Sequence, residues 1–150
     1  VTLRRYLASL AACLALALAP GAAAAQARPA PLEGFIAQVA RLWGAGDASE
    51  LAELAPADGR VLLDVRGEGP GEVQGRHVAA ALRDLFGQRE TVSVRSTQVT
   101  IAGGTPLRGF GELAWASRLR GVTETQRETV YVGAVWEGDA WRIREIRLMR

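Results

Sequence analysis

Five side chains in this 150-residue sequence are of a type and at a spacing that could do chemistry. Asp64 closes the strand-like run from Arg60 to Val65, where Val61, Leu63 and Val65 fall on one side and Leu62 and Asp64 on the other. A carboxylate set among apolar neighbours can act as a general base. His77, the only histidine, follows Gly75 at the start of a helical pattern, where its imidazole could form a dyad with Asp64 through space. Trp115, Arg127 and Tyr131 stand at strand parities that also carry Leu113, Ser117, Leu119 and Val135, so they are expected to point to one side and line a mostly apolar ligand pocket. Each also has a plainer reading. Asp64 can pair with an arginine or face water, His77 can be an exposed first-turn residue, and Trp115 and Tyr131 can be packing residues. Arg127 can pair with Glu112 or Glu128.

Other chemistries lack their parts. One histidine and one cysteine do not make a zinc site, and the carboxylates fall in no metal-ligand motif. Gly67, Gly69 and Gly71 are not followed by Lys-Ser or Lys-Thr and do not join a strand to a helix in a dinucleotide pattern. No cofactor is expected.

The elements that would position these residues can be read from periodicity. Phe35, Ile36, Val39, Leu42 and Trp43 form a helical stripe ending at Gly44 and Gly46. Asp47 with Glu50 opens a second, shorter helix that Pro56 closes. After the flexible glycine-rich loop at 67–71, Val78, Leu82, Leu85 and Phe86 predict a third helix ending at Gly87. Four β-rich runs follow, at 91–101, 107–120, 123–137 and 140–149. The last two form a hairpin around Glu137-Gly138-Asp139, and a slip of alternation at Arg144-Glu145 predicts a bulge. Arg142, Arg144, Arg147 and Arg150 on the last run suit a charged sheet edge, or a surface for an anion or acidic partner. Helices before a meander predict an α+β fold: three N-terminal helices on a curved antiparallel sheet of four to six strands.

Residues 1–25 have the parts of a secretory signal peptide: Arg4 and Arg5, an apolar run from Leu7 to Ala19, and small residues at Ala23 to Ala25. The run is shorter than the roughly 20 residues of a membrane span. An exported protein, periplasmic or extracellular, is therefore expected, with 26–31 as linker and 32–150 as one domain. A lipoprotein anchored through Cys13 fits less well, because the apolar run continues past it. Removing Arg4 and Arg5 from the 18 basic residues leaves 16 against 16 acids, so no basic tail argues for nucleic acid.

The segments RLWGAGD at 41–47, APADGRVLLD at 55–64, QGRHVAAALRDLF at 74–86 and VWEGDAWRIREI at 135–146 resemble the nuclear transport factor 2-like superfamily. The resemblance covers nearly all of the chain beyond the leader. It implies a cone-shaped sheet wrapped around helices, an apolar pocket, and a homodimer formed through the sheet. It does not imply one activity, because that superfamily holds ketosteroid isomerases, polyketide cyclases, dehydratases and transport adaptors. Asp64 falls where the isomerases hold their general base, but Val39 and Gly133 fall where their tyrosine and second acid would stand. Neither can donate a side-chain hydrogen bond to a developing oxyanion. The reading that follows is a non-catalytic binding or scaffold domain for a small apolar ligand or a protein partner. The alternative is a cofactor-free isomerase, cyclase or dehydratase with Asp64 as base and His77 or Tyr131 as proton donor.

Overall fold

A computed structural model describes residues 29–150. The expected leader, its cleavage site, Cys13 and the first part of the linker lie outside the described residues.

Helix α1 spans Leu32–Ala45 and buries Leu32, Phe35, Ile36, Val39 and Trp43 along one stripe. Gly46 ends it in the left-handed conformation, φ 69°, which lets its N–H reach back to the carbonyls of Leu42 and Trp43. Helix α2, Ala48–Glu53, starts where Asp47 accepts a hydrogen bond from the Glu50 N–H at 3.1 Å. Helix α3, Gly75–Gln88, buries Val78, Ala79, Leu82 and Phe86. It runs through Gly87, the expected stop, and passes directly into a strand at Arg89.

The strands are β1 (Arg60–Asp64), β2 (Gly71–Gln74), β3 (Arg89–Gly103), β4 (Arg108–Leu119), β5 (Gln126–Glu137) and β6 (Ala140–Met149). They form one sheet in the order β2-β1-β6-β5-β4-β3. The helices cover its concave side, giving the expected α+β cone. Three details depart from the reading of the sequence. Strand β2, which overlaps the expected loop only at Gly71, was not expected; its four residues are too few and too exposed to show a period, and they pair only with β1. The sheet is not wholly antiparallel, since β1 runs parallel to β6. Most of the chain separates those two strands, so no hairpin forces them to oppose. Strand β6, expected at an edge, is interior, and the edges are β2 and β3. The bulge expected near Arg144 is present, because Gly133 pairs with Glu145 while Ala134 pairs with Ile143.

The core lies between α1, α3 and the concave side of the sheet, centred on Trp43, Trp115, Ile36, Leu82, Leu113 and Ile146. Glycines set its depth. A Cβ on Gly111 would come within 2.7 Å of three carbons of Ile36, and one on Gly109 would meet Leu32 and lie 2.9 Å from the Thr100 carbonyl oxygen. Their absence lets α1 settle directly onto the backbone of β4. Gly111→Ala is expected to destabilise by roughly 1–3 kcal/mol through overpacking. Gly109→Ala should cost more, because backbone cannot swing aside as a side chain can. Urea midpoints of the two variants check the order, and equal midpoints would contradict this account of α1 seating.

Candidate functional site

Alternation along β4 and β5 sorts the candidate residues onto two faces. Leu113, Trp115 and Ser117 on β4 face inward, opposite Glu128, Val130 and Val132 on β5. Arg127 and Tyr131 occupy the other parity of β5 and lie on the convex face. The expectation that Trp115, Arg127 and Tyr131 share one side is therefore corrected: Tyr131 pairs with Glu112, not with an inward residue. Leu119, expected inward with them, is exposed at the sheet end.

Inside the cone an aromatic cluster packs the centre. The Trp43 ring stands edge-on to Phe86 at 5.1 Å and to Trp115 at 5.5 Å. Trp115 Nε1 donates to Thr91 Oγ1 at 3.0 Å. Trp43 Nε1 has no hydrogen-bond partner among the described residues and sits within this aromatic cluster. Beside it Arg89 forms an ion pair with Glu128, their side chains only 10% and 5% exposed. The Arg89 guanidinium also donates to Ser117 Oγ at 3.4 Å and lies 5.3 Å from the centre of the Trp115 ring, while Arg150 reaches the other Glu128 oxygen at 3.3 Å. Glu128 is thus committed to two arginines other than Arg127. Its inward parity with Val130 and Val132 was visible in the sequence, and it was the signal for a buried acid.

Asp64 and His77 both line a groove of about 320 Å³ between the end of β1, the loop after it and α3, with no hydrogen bond between the two. Leu63, Val73, Ala80 and Ala81 give the groove apolar walls, and Glu68 and Asp84 add acids. Asp64 Oδ1 accepts from the Gly67 N–H at 2.8 Å, so one carboxylate oxygen holds the turn that follows β1. The exposed His77 ring accepts at Nε2 from Arg76 Nε at 3.4 Å. Among the described residues, no group of three or more His, Cys, Asp or Glu is placed to hold a metal ion.

The convex face carries an arrangement that periodicity did not single out. Phe110 and Tyr131 stack at 5.5 Å with an interplanar angle of 26°. Arg147 lies 5.4 Å from the Tyr131 ring centre and is ion-paired with the half-buried Glu145. Burial, and next the charge of Glu145, push the Tyr131 phenol above its ordinary value. Next to this cluster is a hollow of about 380 Å³, bounded by Ala102 and Pro106, by Phe110 and Tyr131, and by the bulge side of β6. Gly133 forms part of its floor; a Cβ there would come within 3.0 Å of Glu145 Cβ and 3.6 Å of the Tyr131 ring. Arg108 and Arg144 stand at the rim, the latter bonded to Asp58 and to the Arg60 carbonyl at 3.0 Å. Of the four arginines on the last run, Arg144 pairs with Asp58, Arg147 with Glu145 on its own strand, and Arg150 with Glu128.

No family model matches this sequence, and no curated protein does. Solved structures do. One is a DUF4783 family protein from Bacteroides uniformis, TM-score 0.61 at 14% identity over 75% of this chain and 93% of that one. A second is a domain of unknown function with a cystatin-like fold from Nostoc punctiforme, TM-score 0.58 at 15% identity over 79% and 74%. A third is a hypothetical protein with a ketosteroid isomerase-like fold from Catenulispora acidiphila in complex with trimethylamine, TM-score 0.59 at 17% identity over 77% and 84%. The chain has the cystatin-like fold. At these identities the likeness extends to the fold and not to an activity. No helix among the described residues of this cystatin-like cone is long and apolar enough to cross a membrane.

Two measurements test this geometry. Removing one partner of the buried pair, as in Glu128→Ala, should cost roughly 3–5 kcal/mol, whereas Arg89→Met with Glu128→Leu should recover most of that loss. Urea unfolding of the single and double variants decides; a Glu128→Ala loss under about 1 kcal/mol would place the pair in water. Tyr131 and Tyr6 are the only tyrosines, so in a protein beginning at Gln26 the phenolate absorbance reports Tyr131 alone. Its midpoint should lie above the ordinary value near 10 and fall back to it in urea. Because the folded value is raised, Tyr131 contributes stability that is present below pH 10 and lost as pH climbs through the folded midpoint. Tyr131→Phe should flatten the stability curve in that alkaline range.

Proposed function

We propose that this chain is an exported, non-catalytic binding or scaffold domain that engages a small apolar ligand or a protein partner on the outside of its cone. The observation that carries this reading is where the open space lies. Five surface hollows of about 550, 320, 380, 380 and 350 Å³ surround the domain, and none is lined by Trp43, Leu82 or Leu113 at the middle of the core. Val39, at the position matched to the isomerase tyrosine, is fully buried in that core, and Gly133 carries no side chain. A reaction that develops negative charge would find no oxyanion donor at either place. Pairing of two copies through the sheet, with the hollow at Gly133 left uncovered, is part of the proposal, and the resemblance to a dimer-forming superfamily supports it.

A second reading retains Asp64 as a general base with His77 or Tyr131 as proton donor. The shared groove of Asp64 and His77 favours it, and Tyr131, on the convex face, lines a different hollow. Asp64→Asn separates the two readings. Asparagine can still accept from the Gly67 N–H, so stability should change by no more than about 0.5 kcal/mol. Native mass spectrometry of residues 26–150 then reports stoichiometry and any co-purified molecule. A binding domain keeps both in Asp64→Asn. Accumulation of an unisomerised, uncyclised or undehydrated passenger in the variant, replaced by its product in the parent, would establish the enzyme instead.

A further inference from the structure

The hollow at Gly133 is more than a gap in the sheet surface. Its three features are independent of one another. First, the space exists because position 133 has no side chain while both cross-strand neighbours, Phe110 and Glu145, are large. Second, its walls are flat and apolar. The Phe110–Tyr131 stack stands on one side, and Ala102 and Pro106 on another. A space over a strand glycine flanked by aromatic rings suits a planar ring, which gains stacking contact without needing depth. Third, its charge is unbalanced toward positive. Glu145 is neutralised by Arg147, and Arg144 by Asp58, whereas the Arg108 side chain has neither an ion pair nor a hydrogen bond among the described residues. Tyr131, whose phenol carries its proton at neutral pH, also lines the hollow.

We infer that the Gly133 hollow is a binding site for a small planar aromatic carboxylate, its ring over the Gly133 backbone beside Phe110 and its carboxylate paired with Arg108. This assignment rests on the proposal that the domain binds on its outside and names the ligand class for one of the surface hollows. A volume of about 380 Å³ lies within the range of roughly 300–1,000 Å³ typical of small-molecule sites. A cationic ligand is disfavoured because Arg108 and Arg144 hold the rim, and a purely aliphatic acid would leave the ring walls without a stacking partner.

The test is a titration of ¹⁵N-labelled residues 26–150 with 2-naphthoate and, in parallel, with the neutral 2-naphthalenemethanol. Amide shifts on 2-naphthoate binding should centre on Phe110, Gly133 and Val135. Arg108→Gln, an exposed substitution that leaves the core intact, should weaken 2-naphthoate about tenfold and change the alcohol less than about twofold, the size expected for one charge-assisted hydrogen bond. Gly133→Val should abolish both if it folds. Absence of shifts at about 10 mM ligand, a Kd at which binding would be weaker than about 3 kcal/mol, overturns the inference. So do shifts centred on the Asp64–His77 groove, or an Arg108→Gln variant that binds both compounds like the parent. In any of those cases a molecule retained in native mass spectrometry leaves the broader binding role standing and moves its site. Failure there and here together removes both.

Discussion

The close approach of α1 to β4 is the constraint on which the rest of the structure depends. Gly109 and Gly111 let Leu32 and Ile36 sit where side chains of β4 would otherwise stand, and this brings Trp43 down against Trp115 and Phe86. Each such large apolar group removed from water stabilises by roughly 1.5–3 kcal/mol. The same descent consumes the volume that a cone of this kind could offer to a ligand.

With the interior occupied, polar residues that face inward must be satisfied by one another. Arg89, Glu128, Ser117 and the Arg150 side chain meet at the end of the sheet where β3 begins and β6 ends. Such a pair contributes little net stability over an apolar substitute, because both ions are stripped of water. Its effect is on register, since Glu128 finds its partner only when β3, β4 and β5 are aligned as they are. The convex face follows the opposite logic. There Glu145, Arg147, Asp58 and Arg144 form pairs within reach of solvent, and one hollow opens where the bulge and Gly133 interrupt the rows of side chains.

Much of this was legible from residues alone, and the failures have identifiable causes. The stripe through Phe35, Ile36, Val39 and Trp43, the Asp47 cap and the turn at Gly138 are local signals, and each holds in the fold. The bulge was legible because Ile143 and Ile146 break the two-residue period. Strand β2 was not, because four mostly exposed residues have no face to show. Tyr131 was assigned to the wrong side by counting parity across strands without their register, which only the pairing of Tyr131 with Glu112 supplies.

The sequence by itself determined the order of elements, the helix faces that must be buried, and the lack of metal-ligand and phosphate-binding motifs, because these depend on neighbours within a turn or a strand. It also brought Asp64 under suspicion, though not to its place at a turn beside His77. Only the tertiary structure decided that an aromatic cluster packs the centre of the cone, that β6 lies inside the sheet, and that one of the surface hollows opens on the convex side at Gly133. These depend on distances between residues far apart in the chain. A glycine in a strand reads the same whether a helix, a ligand or water lies over it, and only the assembled fold shows which.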